Sequence, residues 1–192
     1  MSDTVLWYAT RGAGIVSLVL LTGVIVLGII GAMRWQTASW PRFLSTGFHR
    51  NLALMTLSFL ALHIVTAVVD PFTALGGNAA IIPFSSSYRR FWLGLGVVAL
   101  YLLIAIAATS LLRPLFGHRV WRAVHWLAYL MWPVAILHGI GTGTDQRFAW
   151  MLAIEVVCVG SVVAAVFWRF GRAAPAGWRQ VPATSLQARK WS

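Results

Sequence analysis

The chain has 192 residues, 59% hydrophobic and only 10% charged, with 15 Lys plus Arg against 4 Asp plus Glu for a formal net charge of +11. Soluble domains carry about 25% charged residues, so this composition excludes both an ordinary soluble enzyme and a disordered basic tail. A nucleic-acid binder needs its basic residues clustered on a polar domain; the sequence holds no such domain, and no nucleic-acid partner is expected.

Along the chain, the first apolar stretch runs from Gly12 to Met33. No basic segment and no cleavage site accompany it, so a removable signal peptide is not expected. The second runs from Asn51 to Val69, after a loop bearing Arg34, Arg42 and Arg50. A longer connection from Asp70 to Arg90 follows, with Gly-Gly-Asn and Pro-Phe-Ser-Ser-Ser turns and an interfacial segment over Ala79 to Phe84. The third stretch is Phe91 to Leu112, the fourth Ala123 to Ile140 and the fifth Phe148 to Trp168. Each suits a helix of about 20 residues, the length that crosses a bilayer. None alternates with period 2, so a β-barrel is not expected. Trp7, Trp35, Trp40, Trp92, Trp121, Trp150 and Trp168 near their ends read as interfacial anchors. The fold expected is an all-α integral membrane bundle of five transmembrane helices over residues 1–168, with a flexible basic tail over 169–192. The single cysteine, Cys158, supports neither a disulfide framework nor a cysteine metal cluster.

An odd number of spans puts the termini on opposite sides. The first loop, the third loop (Arg113, Arg119, Arg122) and the tail hold 11 of the basic residues. The other side holds Arg11, Arg89, Arg90 and Arg147, together with Asp3, Asp70 and Asp145. The positive-inside rule places the basic side in the cytoplasm and the N-terminus outside, as in a multi-pass protein of the plasma membrane.

Four of the five histidines fall on two parallel spans: His49 and His63 on the second, His125 and His138 on the fourth. Spacings of 14 and 13 residues correspond to about 21 Å and about 19.5 Å along a helix. His49 and His125 therefore share the cytoplasmic level, and His63 and His138 the outer one. Fourteen residues return to within about 40° of the same face, whereas thirteen leave about 140° to make up. Pro133 lies between His125 and His138, and a distortion of the fourth span is expected there. Two pairs some 20 Å apart exclude one shared zinc site, and neither level has a nearby Cys or carboxylate to complete a tetrahedral one. Two imidazoles facing each other across an apolar slot suit the two axial positions of a haem. Two levels give two stacked b-type haems, with His49, His63, His125 and His138 as the metal ligands. The competing reading is that the histidines bond to neighbouring helices. His118, in the third loop, reads as a solvated side chain.

These residues resemble the ferric-reductase-like transmembrane domain shared by ferric reductases, NADPH oxidases and the haem-binding subunit of the bacterial methionine sulfoxide reductase system. The resemblance is carried by His49-Arg50 through His63, by Trp121-Arg122-Ala123-Val124-His125 through Tyr129 to His138, and by Trp7-Tyr8-Ala9-Thr10-Arg11-Gly12 and Gly141-Thr142-Gly143-Thr144-Asp145. It covers roughly residues 7 to 168 and is most similar to small bacterial members without a flavin or NADPH domain. It implies His49 and His125 on the inner haem and His63 and His138 on the outer, in the membrane subunit of an oxidoreductase. No dinucleotide fingerprint is present, since Gly139-Ile140-Gly141-Thr142-Gly143 follows a membrane helix and opens no βαβ unit. Electrons would come from a flavoprotein or from quinol and leave to an outer-side acceptor such as ferric iron, oxygen, quinone or a redox protein. The alternatives are a quinol-linked haem subunit of an external reductase and a cofactor-free transporter or scaffold.

Three arginines are secondary haem-site candidates. Arg11 reads either as a partner for a propionate or anionic acceptor, or as an arginine reaching to headgroups. Arg50 and Arg122 sit beside the inner ligands and read either as propionate partners or as topology determinants. Glu155, the only acid within a span, suggests a buried pair with Arg11 or a proton relay. Asp70 and Asp145 read as solvated loop or capping residues ahead of a cation-holding or proton-exchanging role. Met131, Trp132 and Thr56 lie midway between the levels and read mainly as core.

Overall fold

The computed structural model describes residues 2–33, 42–70 and 76–172. The expected anchors Trp35 and Trp40, Arg34 and the tail from 173 lie outside the described residues, as do the side chains of Asp3, Arg42 and Arg172. The described chain is helical, with no strand: α1 (Ser2–Ala32), α2 (Arg42–Val69), α3 (Gly76–Ile81), α4 (Arg90–Leu111), α5 (Arg113–His125), α6 (Ala128–Thr142) and α7 (Ala149–Arg172). α1, α2, α4 and α7 are long and apolar enough to cross a membrane, and α5 with α6, bent by 48° at their junction, is the candidate for a fifth span. The protein is an integral membrane helical bundle. A bilayer cannot satisfy bare backbone groups, so apolar segments of this length take the one local structure that satisfies its own.

α1 begins ten residues ahead of the expected span and α7 runs four past it. α1 packs on α2, α6 and α7, and α4 packs on α6. The core joins Leu21, Ile25 and Ile29 of α1 to Ala99 and Ile106 of α4, Met131, Trp132 and Ile136 of α6, and Cys158 and Val162 of α7. Trp132 donates from Nε1 to Thr22 Oγ1 at 3.1 Å, which satisfies the one polar atom of a buried indole. Thr56, also buried, turns its hydroxyl back onto Leu52 O.

The fourth span is distorted, but not where expected. Pro133 sits inside α6, while the break falls at Trp126 and Leu127 and bends the span by 48°. Around it Leu127 N bonds Val124 O, Tyr129 N bonds Trp126 O and Leu130 N bonds Leu127 O, each three residues back. A proline ring crowds the turn that precedes it, so the tightening appears N-terminal to Pro133. Residues wound at about 120° rather than about 100° each recover about 20° of the 140° by which thirteen residues fall short. The overwinding therefore turns His125 and His138 towards one face.

Candidate functional site

Two imidazole pairs form the centre of the bundle. The His49 and His125 ring centres lie 6.2 Å apart, and those of His63 and His138 lie 6.4 Å apart. The first pair sits at the basic end, beside Arg113 and Arg122. The second sits at the acidic end, where Asp70 and Asp145 line the same cavity. Among the described residues no three metal-ligating side chains gather; each pair stands alone.

Three of the four rings are held by one repeated device. His63 Nδ1 donates to Thr10 O at 2.8 Å, His49 Nδ1 to Val24 O at 3.1 Å, and His138 Nδ1 to Trp92 O at 2.9 Å. Four residues after each carbonyl stands a glycine: Gly14 against His63, Gly28 against His49 and Gly96 against His138. A helical Cβ leans towards the N-terminus, over the carbonyl of the preceding turn. Omitting it lets a ring approach that carbonyl. The two notches on α1 are 14 residues apart, as are His49 and His63 on the antiparallel α2. Continuing the α4–α6 register by 13 residues brings Ala105 O towards His125. There the equivalent position is Thr109, whose hydroxyl already occupies Ala105 O at 2.7 Å. His125 Nδ1 has no protein partner; its ring stacks on Trp121 at 5.0 Å and 27° instead.

A cavity of about 370 Å³ between α1, α2, α4 and α6 takes in His63 and His138 and is lined mostly by aliphatic side chains such as Leu60, Val97 and Leu100. Ala79 of α3, which is buried, and Tyr88 also line it. The expected interfacial segment is thus split: Ala79 faces inward while Ile81 and Ile82 are exposed. The ring of Trp92 lies over Gly141, and Arg89 donates to Gly141 O. Gly141 therefore serves helix packing.

The acidic end corrects several expectations. Arg11 neither reaches for headgroups nor stays open for an anion: it forms an ion pair with Asp145 and stacks on Trp7, 3.9 Å from the ring centre. Asp145 is buried, not solvated. Glu155 does not meet Arg11; its Oε1 accepts from Gln146 Nε2 at 2.7 Å. Asp70 is only 1% exposed and lines the cavity. Thr10 Oγ1 and Ser17 Oγ, also on the cavity wall, lack protein partners. At the basic end Arg50 is exposed, and Arg122 is exposed and directed at His118. His118 itself is exposed, but both its ring nitrogens lie within hydrogen-bond reach of arginines, Arg113 and Arg122.

Removing one member of a buried ion pair leaves the other charge desolvated, at a cost of about 3–5 kcal/mol. Asp145→Asn is thus expected to lower the melting temperature of the detergent-solubilised protein clearly. Arg11→Gln with Asp145→Asn should restore part of the loss. A double variant no better than the sum of the singles would show that the pair contributes nothing.

The fold and paired histidines define a membrane-embedded helical protein whose bundle presents opposed imidazoles at two levels. The ferric reductase like transmembrane component family matches residues 13–136, more than half of the chain, and the chain belongs to that family. The match includes His49, His63 and His125 and ends two residues before His138. Members of this family typically bind haem. No curated protein and no solved structure matches the chain.

Proposed function

We propose that the chain holds two b-type haems, one between His49 and His125 and one between His63 and His138, and carries electrons across the bilayer. The observation that supports this best is the ring separation. With a metal–imidazole bond of about 2 Å and about 1.1 Å from nitrogen to ring centre, two imidazoles that hold one iron between them would have ring centres about 6.2 Å apart. The pairs stand at 6.2 and 6.4 Å. In His49, His63 and His138 a carbonyl on Nδ1 fixes the tautomer that leaves Nε2 free to ligate, the usual outer-shell arrangement for a metal-bound histidine.

His49 with His125, and His63 with His138, would hold the haems, which when bound would supply one-electron redox chemistry. The chain's own part is positioning and insulation. Gly14, Gly28 and Gly96 let the rings seat, and the aliphatic cavity wall excludes water. Thr10 and Ser17 offer unused hydroxyls to polar groups at the cavity edge. By the charge distribution, the basic end faces the cytoplasm and receives electrons from a flavoprotein or quinol. The acidic end faces outward and passes them to ferric iron, oxygen, quinone or a redox protein.

Spectroscopy of the purified protein tests this. Dithionite should sharpen a bis-histidine α-band, and the pyridine haemochrome should give about two haems b per chain. A folded, colourless protein would refute the proposal in favour of a cofactor-free transporter or scaffold.

A further inference from the structure

The basic end carries a second organised cluster that the haem pairs leave unused. α5 opens at Arg113, one residue after α4 ends, and Gly117 breaks its helical path at φ 71° and ψ 165°. That positive φ suits glycine, and the turn brings Arg113 back against the residues that follow. Arg113 Nη2 lies 3.2 Å from His118 Nδ1, and Arg122 Nη2 lies 3.2 Å from His118 Nε2. Arg113 also stacks on Trp121, 4.4 Å from the ring centre, while Trp121 Nε1 donates to Ser110 Oγ at 3.3 Å.

Guanidinium groups only donate, and a neutral imidazole has one acceptor nitrogen. His118 therefore satisfies one of the two arginines at a time. The only ion pair among the described residues joins Arg11 to Asp145, at the opposite end. Asp70 and Asp145 line the cavity there, and Glu155 bonds Gln146 beside it. Two full positive charges thus converge on one side chain, with no carboxylate among the described residues to offset them. Guanidinium forks match phosphate oxygens in geometry and charge. Leu111 and Leu115, 75% and 78% exposed, flank the cluster and suit it to headgroup depth.

We propose that Arg113, His118 and Arg122 form a phosphate-binding site at the bilayer surface, filled by a phosphate ester. The two sources of that group are the headgroup of an anionic lipid and a soluble phosphate ester. The proposal goes beyond the haem reading and does not depend on it.

Native mass spectrometry of the full chain in mild detergent, titrated with phosphatidylglycerol or phosphatidylcholine, provides the test. Phosphatidylglycerol should be retained selectively, and Arg113→Gln and Arg122→Gln should each weaken retention about tenfold. Arg119→Gln removes the same charge from an exposed neighbour outside the cluster and should change retention by less than about twofold. Inorganic pyrophosphate added in competition separates the sources: displacement of the lipid points to a soluble ester, and failure to displace it points to the headgroup. If Arg113→Gln does not fold, Arg122→Gln carries the comparison. Equal losses in all three variants would overturn the site in favour of diffuse charge attraction, and so would a lack of selectivity for the anionic lipid.

Discussion

His63→Ala, like His138→Ala, is expected to leave the purified protein with about one haem per chain in place of about two. On the proposed pairing, either substitution removes one imidazole of the His63–His138 pair and leaves His49 and His125 untouched. These pairs have separate ring anchors: Val24 O serves His49, while Thr10 O and Trp92 O serve His63 and His138. Loss at one level should therefore not propagate to the other. His63→Ala combined with His49→Ala should give a colourless protein that still inserts, because both substitutions raise the hydropathy that makes α2 a candidate span. Pyridine haemochrome against protein concentration measures the ratio. A ratio unchanged in His63→Ala would refute the pairing. Loss of both haems at an unchanged melting temperature would show that the levels are coupled.

The second large effect comes from residues that touch no cofactor. A Cβ added at Gly96 would lie 2.5 Å from His138 Cε1 and 2.6 Å from its Nδ1, at Gly14 3.0 Å from His63, and at Gly28 3.4 Å from His49. The His138 ring can retreat from an added Cβ only by giving up its hydrogen bond to Trp92 O, which lies on the same helix as Gly96. Gly96→Ala is therefore expected to cost about 1–3 kcal/mol of overpacking and to deplete haem at the acidic end. Gly14→Ala should do so partially, and Gly28→Ala should leave haem content at the basic end unchanged, since 3.4 Å is close to an ordinary contact. Gly160→Ala, with nothing within 4 Å of its added Cβ, is the control and should retain full haem. Equal haem content in Gly96→Ala and Gly160→Ala would show that the notch does not govern seating.

Much of this protein was legible before the fold. Hydropathy is local, and the aqueous connections are short, so five apolar runs appear directly in the chain. The charge asymmetry and the histidine spacings are equally one-dimensional quantities. The glycine notches escaped the sequence reading, although Gly14 and Gly28 repeat the 14-residue spacing of His49 and His63 and could have signalled them. What gives that coincidence meaning is the antiparallel packing of α1 on α2. Arg11 shows the opposite case. From its neighbours it reads as an interfacial residue, and its actual partner, Asp145, lies 134 positions away. Glu155 fails for the same reason, since Gln146 competes for it only once the end of α6 turns back onto α7.

By itself the sequence determined a membrane bundle, two imidazoles at each of two depths, and a strongly basic side set against a nearly neutral one that holds three of the four acids. Only the tertiary structure decided which carbonyl holds each of three rings, and that the His125 ring stacks on Trp121 instead. It also set the break of the fourth span at Trp126 and Leu127 and drew Arg113 and Arg122 onto one imidazole. Hydropathy and periodicity are summed along the chain and survive without neighbours. Hydrogen bonds, ion pairs and ring contacts act over a few ångströms between residues far apart in sequence, and they exist only after the helices have chosen their partners.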